Sequence, residues 1–273
     1  MPDINRQNLD IRFLLFVGSQ AEGFAAKKTI EKFLQEGGTL HLREHKGLGL
    51  FATNNNKTPL MIAAGCNNSR VVQELVTYYL KDPTLDINAY DVNKHTALHF
   101  AAQADPFKDN GDTITYLLKH PKILIDAKDN HGNTPLQLAI QTYDSIQSNY
   151  NTSDINKLKA RITSLLDAGA ETKEVFPLVI GSTDLSMIFL EHAKGLDIEK
   201  EYEGGNTLLI LAAQAGNMAA VTHLLKLGAN ISHLNHDGQN ALYAALEAGH
   251  TAIVDLLAPM YHQVEEIHFS PKK

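Results

Sequence analysis

The chain has no tryptophan, a single cysteine among 273 residues and only 7% aromatic residues. One thiol, Cys66, cannot close an internal disulfide and cannot build a thiolate zinc site alone. The sequence therefore fits a reducing, cytoplasmic-type compartment. With so few rings, the core has to be packed from Leu, Ile, Val and Ala, which suits thin helices that approach closely. No run of five Lys or Arg occurs, and 31 acidic against 24 basic residues leave a net charge of -7. Phosphate recognition needs a basic face, so nucleic acid is not expected as a partner. The longest apolar stretch near the N-terminus, Phe13 to Val17, is far short of the ~20 residues of a membrane span. Its flank carries Asp3 and Asp10 beside Arg6 and Arg12, which does not read as a cleaved export signal. A soluble protein without a membrane span is expected.

What is present is a repeat. Lys57-Thr58-Pro59-Leu60-Met61-Ile62-Ala63-Ala64 returns as His95-Thr96-Ala97-Leu98-His99-Phe100-Ala101-Ala102 and as Asn133-Thr134-Pro135-Leu136-Gln137-Leu138-Ala139-Ile140. Two further copies begin at Asn206-Thr207-Leu208-Leu209 and Gln239-Asn240-Ala241-Leu242. Thr58 to Thr96 and Thr96 to Thr134 are each 38 residues, Thr134 to Thr207 is 73, and Thr207 to Asn240 is 33. A base period of 33 with small insertions accounts for all of these spacings. Each copy continues into a second apolar segment, such as Val221 to Leu225, and then Gly-Ala or an equivalent, as in Gly169-Ala170 and Gly228-Ala229. An Asp/Asn/Gly-rich stretch leads to the next Thr, as in Asp129-Asn130-His131-Gly132.

These residue types have physical jobs. Thr caps a helix, and Pro after it has no N–H to lose. The Ala pair leaves room for a neighbouring helix, and Gly after the second helix takes the left-handed cap. One such unit cannot bury its own apolar face, so units must stack.

The pattern resembles the ankyrin repeat family, whose motif reads Asp-x-x-Gly-x-Thr-Pro-Leu-His-x-Ala-Ala, over about residues 56–258. Only Thr96-Ala97-Leu98-His99 keeps the motif's His; Met61, Gln137, Ile210 and Tyr243 replace it elsewhere. The resemblance implies an all-α ankyrin-repeat solenoid of about seven helix-turn-helix units with short finger loops. Residues 1–55 are then a degenerate N-terminal capping repeat with a long finger. Its helices are expected at Phe13–Val17 and Ala25–Leu34, with Gly37-Gly38 as the cap. Residues 175–201 form a second degenerate unit, with Phe176-Pro177-Leu178 in place of Thr-Pro-Leu and an outer helix at Met187–Leu190.

The segment 141–157 carries about 14 extra polar residues and reads as a surface loop or an extended helix pair. It is alternatively a projection that touches a partner, with Tyr143 and Tyr150 as anchors. The last helix is expected to break at Pro259, leaving 259–273 as a tail that is disordered or docks through Val264, Ile267 and Phe269. That glutamate-bearing tail is similar in composition to the export signals of bacterial type IV secreted effectors.

Chemistry-bearing motifs are scarce. His41 and His45 are four apart, but Gly38, Gly47 and Gly49 surround them, and no third ligand is apparent. His233 and His236 lie in a finger, and no His-Glu-x-x-His occurs. Gly47-Leu48-Gly49 does not continue into a phosphate loop, and Ser19 lacks the elbow context of a hydrolase. Cys66 has no evident base or oxyanion hole. No metal, cofactor or catalytic residue is expected. Asn88 matches the family position that asparaginyl hydroxylases modify, although hydrogen bonding across the finger is the plainer role.

The expected function is therefore protein binding by a monomer. In the ankyrin family the positions left free by the scaffold follow the finger Asp, precede the Thr and follow the Ala pair. Carried over, these give Asn93, His95, Gln103, Asn130, His131, Asn133 and Gln141, then Asn206, Gln214, His236, Asp237, Gln239 and Glu247. Val92, Ala104, Thr142 and Glu203 occupy further such positions. With the tail, the resemblance implies a bacterial effector acting on a host protein. A cytosolic eukaryotic adaptor or inhibitor subunit is the alternative, and an enzyme hidden in the insertion or the first 50 residues is the remaining reading.

Overall fold

The computed structural model describes residues 4–19, 23–42, 56–106, 113–146, 151–192 and 195–269. Contacts divide the chain into two compact units, Met1–Ala170 and Glu171–Lys273. Among the described residues there are seven helix pairs and no strand.

In the first unit the inner helices are α1 (Ile4–Gly18), α3 (Pro59–Gly65), α5 (Ala97–Ala102) and α7 (Pro135–Ile146). The outer helices are α2 (Gly23–Gln35), α4 (Ser69–Lys81), α6 (Thr113–Leu118) and α8 (Thr152–Asp167). α1 packs on α3, α3 on α5 and α5 on α7, while α2, α4, α6 and α8 form a parallel row. The inner row is thin because Ala63, Ala64, Ala101 and Ala102 are wholly buried there. The outer row supplies the bulk: Val72, Leu75, Leu117, Ile162 and Leu165 are wholly buried too. Each of these large side chains contributes about 1.5–3 kcal/mol by leaving water.

The second unit repeats the scheme with α9 (Phe176–Val179), α10 (Thr183–His192), α11 (Leu208–Gln214), α12 (Met218–Lys226), α13 (Ala241–Glu247) and α14 (Thr251–Phe269). α11 packs on α13, and α10, α12 and α14 form the outer row. The degenerate pair lacks a Thr cap; Phe176 and Phe189 instead meet with tilted rings, centroids 5.1 Å apart and both buried. An aromatic contact thus replaces a missing polar one.

The Thr caps are closed in three different ways. The Thr134 N–H donates to Gln137 Oε1 at 2.8 Å, and the Gln137 N–H returns to Thr134 Oγ1 at 3.3 Å. His99 takes the Gln role through Nδ1, 3.2 Å from the Thr96 N–H. Met61 takes it through sulfur, 3.3 Å from the Thr58 N–H. Each satisfies a helix-end donor that would otherwise be stranded. Ile210 has no acceptor, and Thr207 Oγ1 is buried without a hydrogen-bond partner.

A second device joins neighbouring pairs. Asn217 caps α12 through its Oδ1, 3.1 Å from the Ala220 N–H. Its Nδ2 donates back to the Ile180 carbonyl and to Ser186 Oγ, both at 2.8 Å. Asn68 does the same in the first unit, capping α4 at Val71 and donating to the Ser19 carbonyl. Asn67, beside it, donates to the Asp105 carbonyl at 2.6 Å.

Three expectations are corrected: Tyr143 as a partner anchor, Ala104 as a free position and a helix break at Pro259. The residues at 141–146 and 152–157 extend α7 and α8, so the insertion is an extended helix pair as far as it is described. Tyr143 is 2% exposed and cannot anchor a partner; it lies in α7, which packs against α8. Tyr150 lies outside the described residues. On the α8 side, Lys157 Nζ donates to the Pro106 carbonyl at 3.2 Å and Arg161 donates to the Ala104 carbonyl at 2.5 Å. The lengthened helix thereby holds the α5–α6 connection, and Ala104 is buried rather than free. The last helix does not break at Pro259 but continues through it to Phe269. Pro259 and Asp255 are exposed, so the Asp255 carbonyl left without a donor sits where water can reach it. The side chains of Val264, Ile267 and Phe269 lie outside the described residues.

Candidate protein-interaction surface

Three of the fingers are each built on one buried acceptor. In the first unit Asp91 Oδ1 takes the N–H groups of Asn93 and His95, both at 2.8 Å. Asp129 Oδ1 takes those of His131 and Asn133 at the same distance. In the second unit Asn235 does this for Asp237 at 3.0 Å and Gln239 at 2.9 Å. A side-chain oxygen that gathers two backbone donors fixes a tight turn. Burial pushes the Asp129 carboxyl upward, but the hydrogen bonds from Asn133 and His131 outweigh it and hold it below its ordinary value.

Adjacent fingers are laced together. The Asn130 N–H donates to the Asn93 carbonyl at 3.0 Å, and Asn130 Nδ2 to the Val92 carbonyl at 3.1 Å. His95 Nε2 lies 3.2 Å from Asp129 Oδ2. In the second unit the His236 N–H donates to the Gly204 carbonyl at 2.9 Å, and His233 Nε2 lies 2.9 Å from the Gly205 carbonyl. Asn235 Nδ2 donates to Asn206 Oδ1 at 2.9 Å.

This lacing sorts the thirteen predicted positions. His95, Asn130, Asn133, Asn206 and Gln239 spend polar atoms inside the protein. Asn133 donates to Asp129 Oδ2 at 3.3 Å, and Gln239 donates to Glu247 Oε2 at 3.0 Å. Asn93, Gln103, His131, Gln141, Gln214, His236, Asp237 and Glu247 are exposed. Gln141 is steadied by donation to Asn133 Oδ1 at 3.3 Å. In the second unit Asn206, Gln214, Asp237, Gln239 and Glu247 converge on one depression of about 240 Å³, floored by Ile210 and Ala244. Asn206 also borders a larger hollow of about 610 Å³, whose walls include Pro177, Tyr202 and Leu211. Reading the sequence position by position did not reveal that second hollow. It is lined by Pro177 of the degenerate 175–201 unit together with Lys173, Glu174, Tyr202, Glu203 and Gly204.

His99, the one motif His, is wholly buried, with Nε2 3.2 Å from the Asn133 carbonyl. Since Nδ1 accepts from Thr96, Nε2 carries the proton and donates. Burial holds its pKa below the ordinary histidine value, against the pull of the Asn133 carbonyl. Asn88 has the plainer role: its Nδ2 donates to the Lys122 carbonyl at 2.7 Å, and its Oδ1 accepts from the Leu124 N–H at 2.8 Å. His41 Nε2 lies 3.1 Å from Thr84 Oγ1, while His45 lies outside the described residues. Cys66 is half-buried at the end of α3, its N–H donating to the Ile62 carbonyl at 3.0 Å. Among the described residues no helix is long and apolar enough to cross a membrane.

Stacked helix pairs joined by laced fingers define a repeat scaffold, and the comparisons name it. The model of ankyrin repeats matches three times, over residues 23–120, 83–151 and 180–267. These matches span most of the sequence, and the chain belongs to the ankyrin repeat family, a protein-interaction scaffold. The crystal structure of the ankyrin repeat domain of Bcl-3, described as a unique member of the IkappaB protein family, superposes with a TM-score of 0.55. It covers 89% of this chain and 94% of that one at 20% identity. That likeness shows the fold alone. The DNA replication inhibitor plutonium of Drosophila melanogaster is 46% identical over 50 residues, 18% of this chain. The matched stretch spans 29% of that protein.

Proposed function

We propose that the chain binds a partner protein through its finger tips and the exposed ends of its inner helices. The observation that carries this reading is the division of labour in the fingers. Buried carboxylates and an amide lock three of the turns, while neighbouring Gln, Asp, Glu and His side chains stay exposed. Rigid polar side chains bind with little loss of conformational entropy. The inhibitor role of the fly protein adds nothing specific, because 50 residues are roughly one and a half repeats of shared scaffold.

The test is affinity capture with the full chain followed by cross-linking and mass spectrometry. Two variants accompany it: His131→Ala/Gln141→Ala, and Gln214→Ala/Asp237→Ala/Glu247→Ala. Loss of the captured protein with either variant, at unchanged thermal stability, supports the reading. Capture that survives both variants sinks it.

Within this reading we place the partner in a host cell and the chain among bacterial effectors. The support is the Asn-rich composition and the glutamate-bearing residues 259–273. A reporter carrying these fifteen residues tests it: translocation through a type IV system supports an effector, and retention removes that role.

A further inference from the structure

We infer that the second unit's groove takes a peptide segment that pairs a large apolar side chain with a basic one. This rests on the protein-binding reading above and names the chemistry of the partner. The two hollows of that unit share Asn206 as a common border, and the trough inferred here runs across it. Their characters differ. The larger, about 610 Å³, is walled by Pro177, Leu211 and the ring of Tyr202. Tyr202 is steadied by Lys200, whose Nζ sits 5.1 Å from the ring centroid. Such a wall offers room for an apolar side chain and its flanking backbone. The smaller, about 240 Å³, is bordered by the Asp237 and Glu247 carboxylates and by acceptor-bearing amides. Asp237 and Glu247 are both exposed.

Charge decides the occupant. Glu174 and Glu203 border the apolar end, Asp237 and Glu247 the polar end, and Lys173 is the single cation among the lining residues. Four carboxylates, against Lys173 and the Lys200 ammonium over the Tyr202 ring, leave a net negative site that repels a nucleic-acid backbone and an acidic peptide, and attracts a guanidinium or ammonium. An Arg side chain matches the polar end best, because its planar donors can reach a carboxylate and a neighbouring amide oxygen together. Glu247 is held ready for this by the hydrogen bond from Gln239 Nε2 at 3.0 Å.

The probes are fluorescein-labelled twelve-residue peptides in a Gly/Ser background, each with one Leu or Phe and one Arg at varied separation. Partner peptides carry Glu or Gln for Arg, or Ser for Leu. Binding to the full chain is read by fluorescence anisotropy. At least one separation is expected to bind about tenfold tighter than its Glu counterpart, with affinity falling as salt rises. In the variant Asp237→Asn/Glu247→Gln that preference shrinks to about twofold, while the loss on replacing Leu by Ser persists. Equal binding of Arg and Glu peptides, no binding by any peptide, or a preference that survives the double variant would each overturn the inference. A dimer in sedimentation velocity that dissolves in the double variant would assign the trough to a second copy and overturn it as well. Partner capture through the exposed fingers can survive all of these results, so the inference can fail while the protein-binding reading stands.

Discussion

Replacing Thr207 by Val is expected to leave the protein as stable as before or more stable, whereas the same change at Thr134 costs stability. Both residues precede an inner helix, Thr207 in extended backbone geometry, and both side chains are buried. Val has the shape of Thr and accepts that backbone readily. The difference lies in the hydroxyl. Thr134 Oγ1 accepts the Gln137 N–H, so its loss strands a helix-end donor, at about 0.5–2 kcal/mol. Thr207 Oγ1 has no partner, so it pays for desolvation without a return, about 1–3 kcal/mol for such a group. Replacing it with a methyl removes that cost and adds apolar contact, offset by Val's poorer fit at a helix N-terminus. The gap between the two variants is about 1.5–5 kcal/mol, the sum of a lost cap and a relieved orphan. Urea titration followed by circular dichroism at matched slope reads the gap directly. If Thr207→Val loses as much as Thr134→Val, then the Thr207 hydroxyl holds a helix donor after all and the reasoning fails.

Asn217→Ala removes a cap and two donated hydrogen bonds at a site 4% exposed. A loss of about 2–4 kcal/mol follows, and a urea midpoint shifted by less than half that amount would refute its role in joining neighbouring pairs. Gly216 has φ +73°, and a Cβ there would sit 2.5 Å from the His250 ring; Gly249 has φ +77° with open space around it. Gly216→Ala is thus expected to cost more than the roughly 1 kcal/mol of left-handed strain that Gly249→Ala costs, as compared by thermal melting. His99 gives a pH effect. Its folded pKa is below the unfolded value of 6.5, so its contribution is complete above that pH. As pH falls below 6.5 the unfolded chain takes up the proton first and stability drops. In His99→Gln, which copies the Gln137 solution, the drop in urea midpoint between neutral and mildly acidic pH shrinks; an unchanged drop would show that His99 is not its source.

The helix pairs were readable because their signal recurs. Thr, the small pair and the Gly cap recur at a fixed spacing, and the stack follows from the inability of one pair to bury itself. The degenerate 175–201 unit was placed by spacing too, although the Phe176–Phe189 contact that holds it was not. What escaped the sequence was everything decided between repeats. Asn68 and Asn217 look like loop residues until the preceding turn's carbonyl appears beside them. Tyr143 sits in a polar run and reads as exposed, yet it lies within the lengthened α7 and is buried. Pro259 reads as a stop, but a proline on the wet side of a helix removes a bond that water replaces. In each case local composition pointed one way and the neighbouring element decided the other.

The candidate surface was legible to the same extent and for the same reason. The family motif marks which positions the scaffold does not need, and the exposed Gln214, Asp237 and Glu247 lie at such positions. It does not mark which of them the scaffold recruits. Asn133 and Asn206 stand at equivalent places, before the Thr, and both turn inward to hold a finger. Gln103, Gln141 and Gln214 follow the small pair and stay at the surface. A residue before the Thr lies within reach of its own finger's buried acceptor, whereas a residue at the end of the inner helix has passed the last turn with an acceptor to serve. Recognition in this chain is therefore expected to concentrate at helix ends and finger tips. The residues between them act on a partner through the rigidity they give those ends.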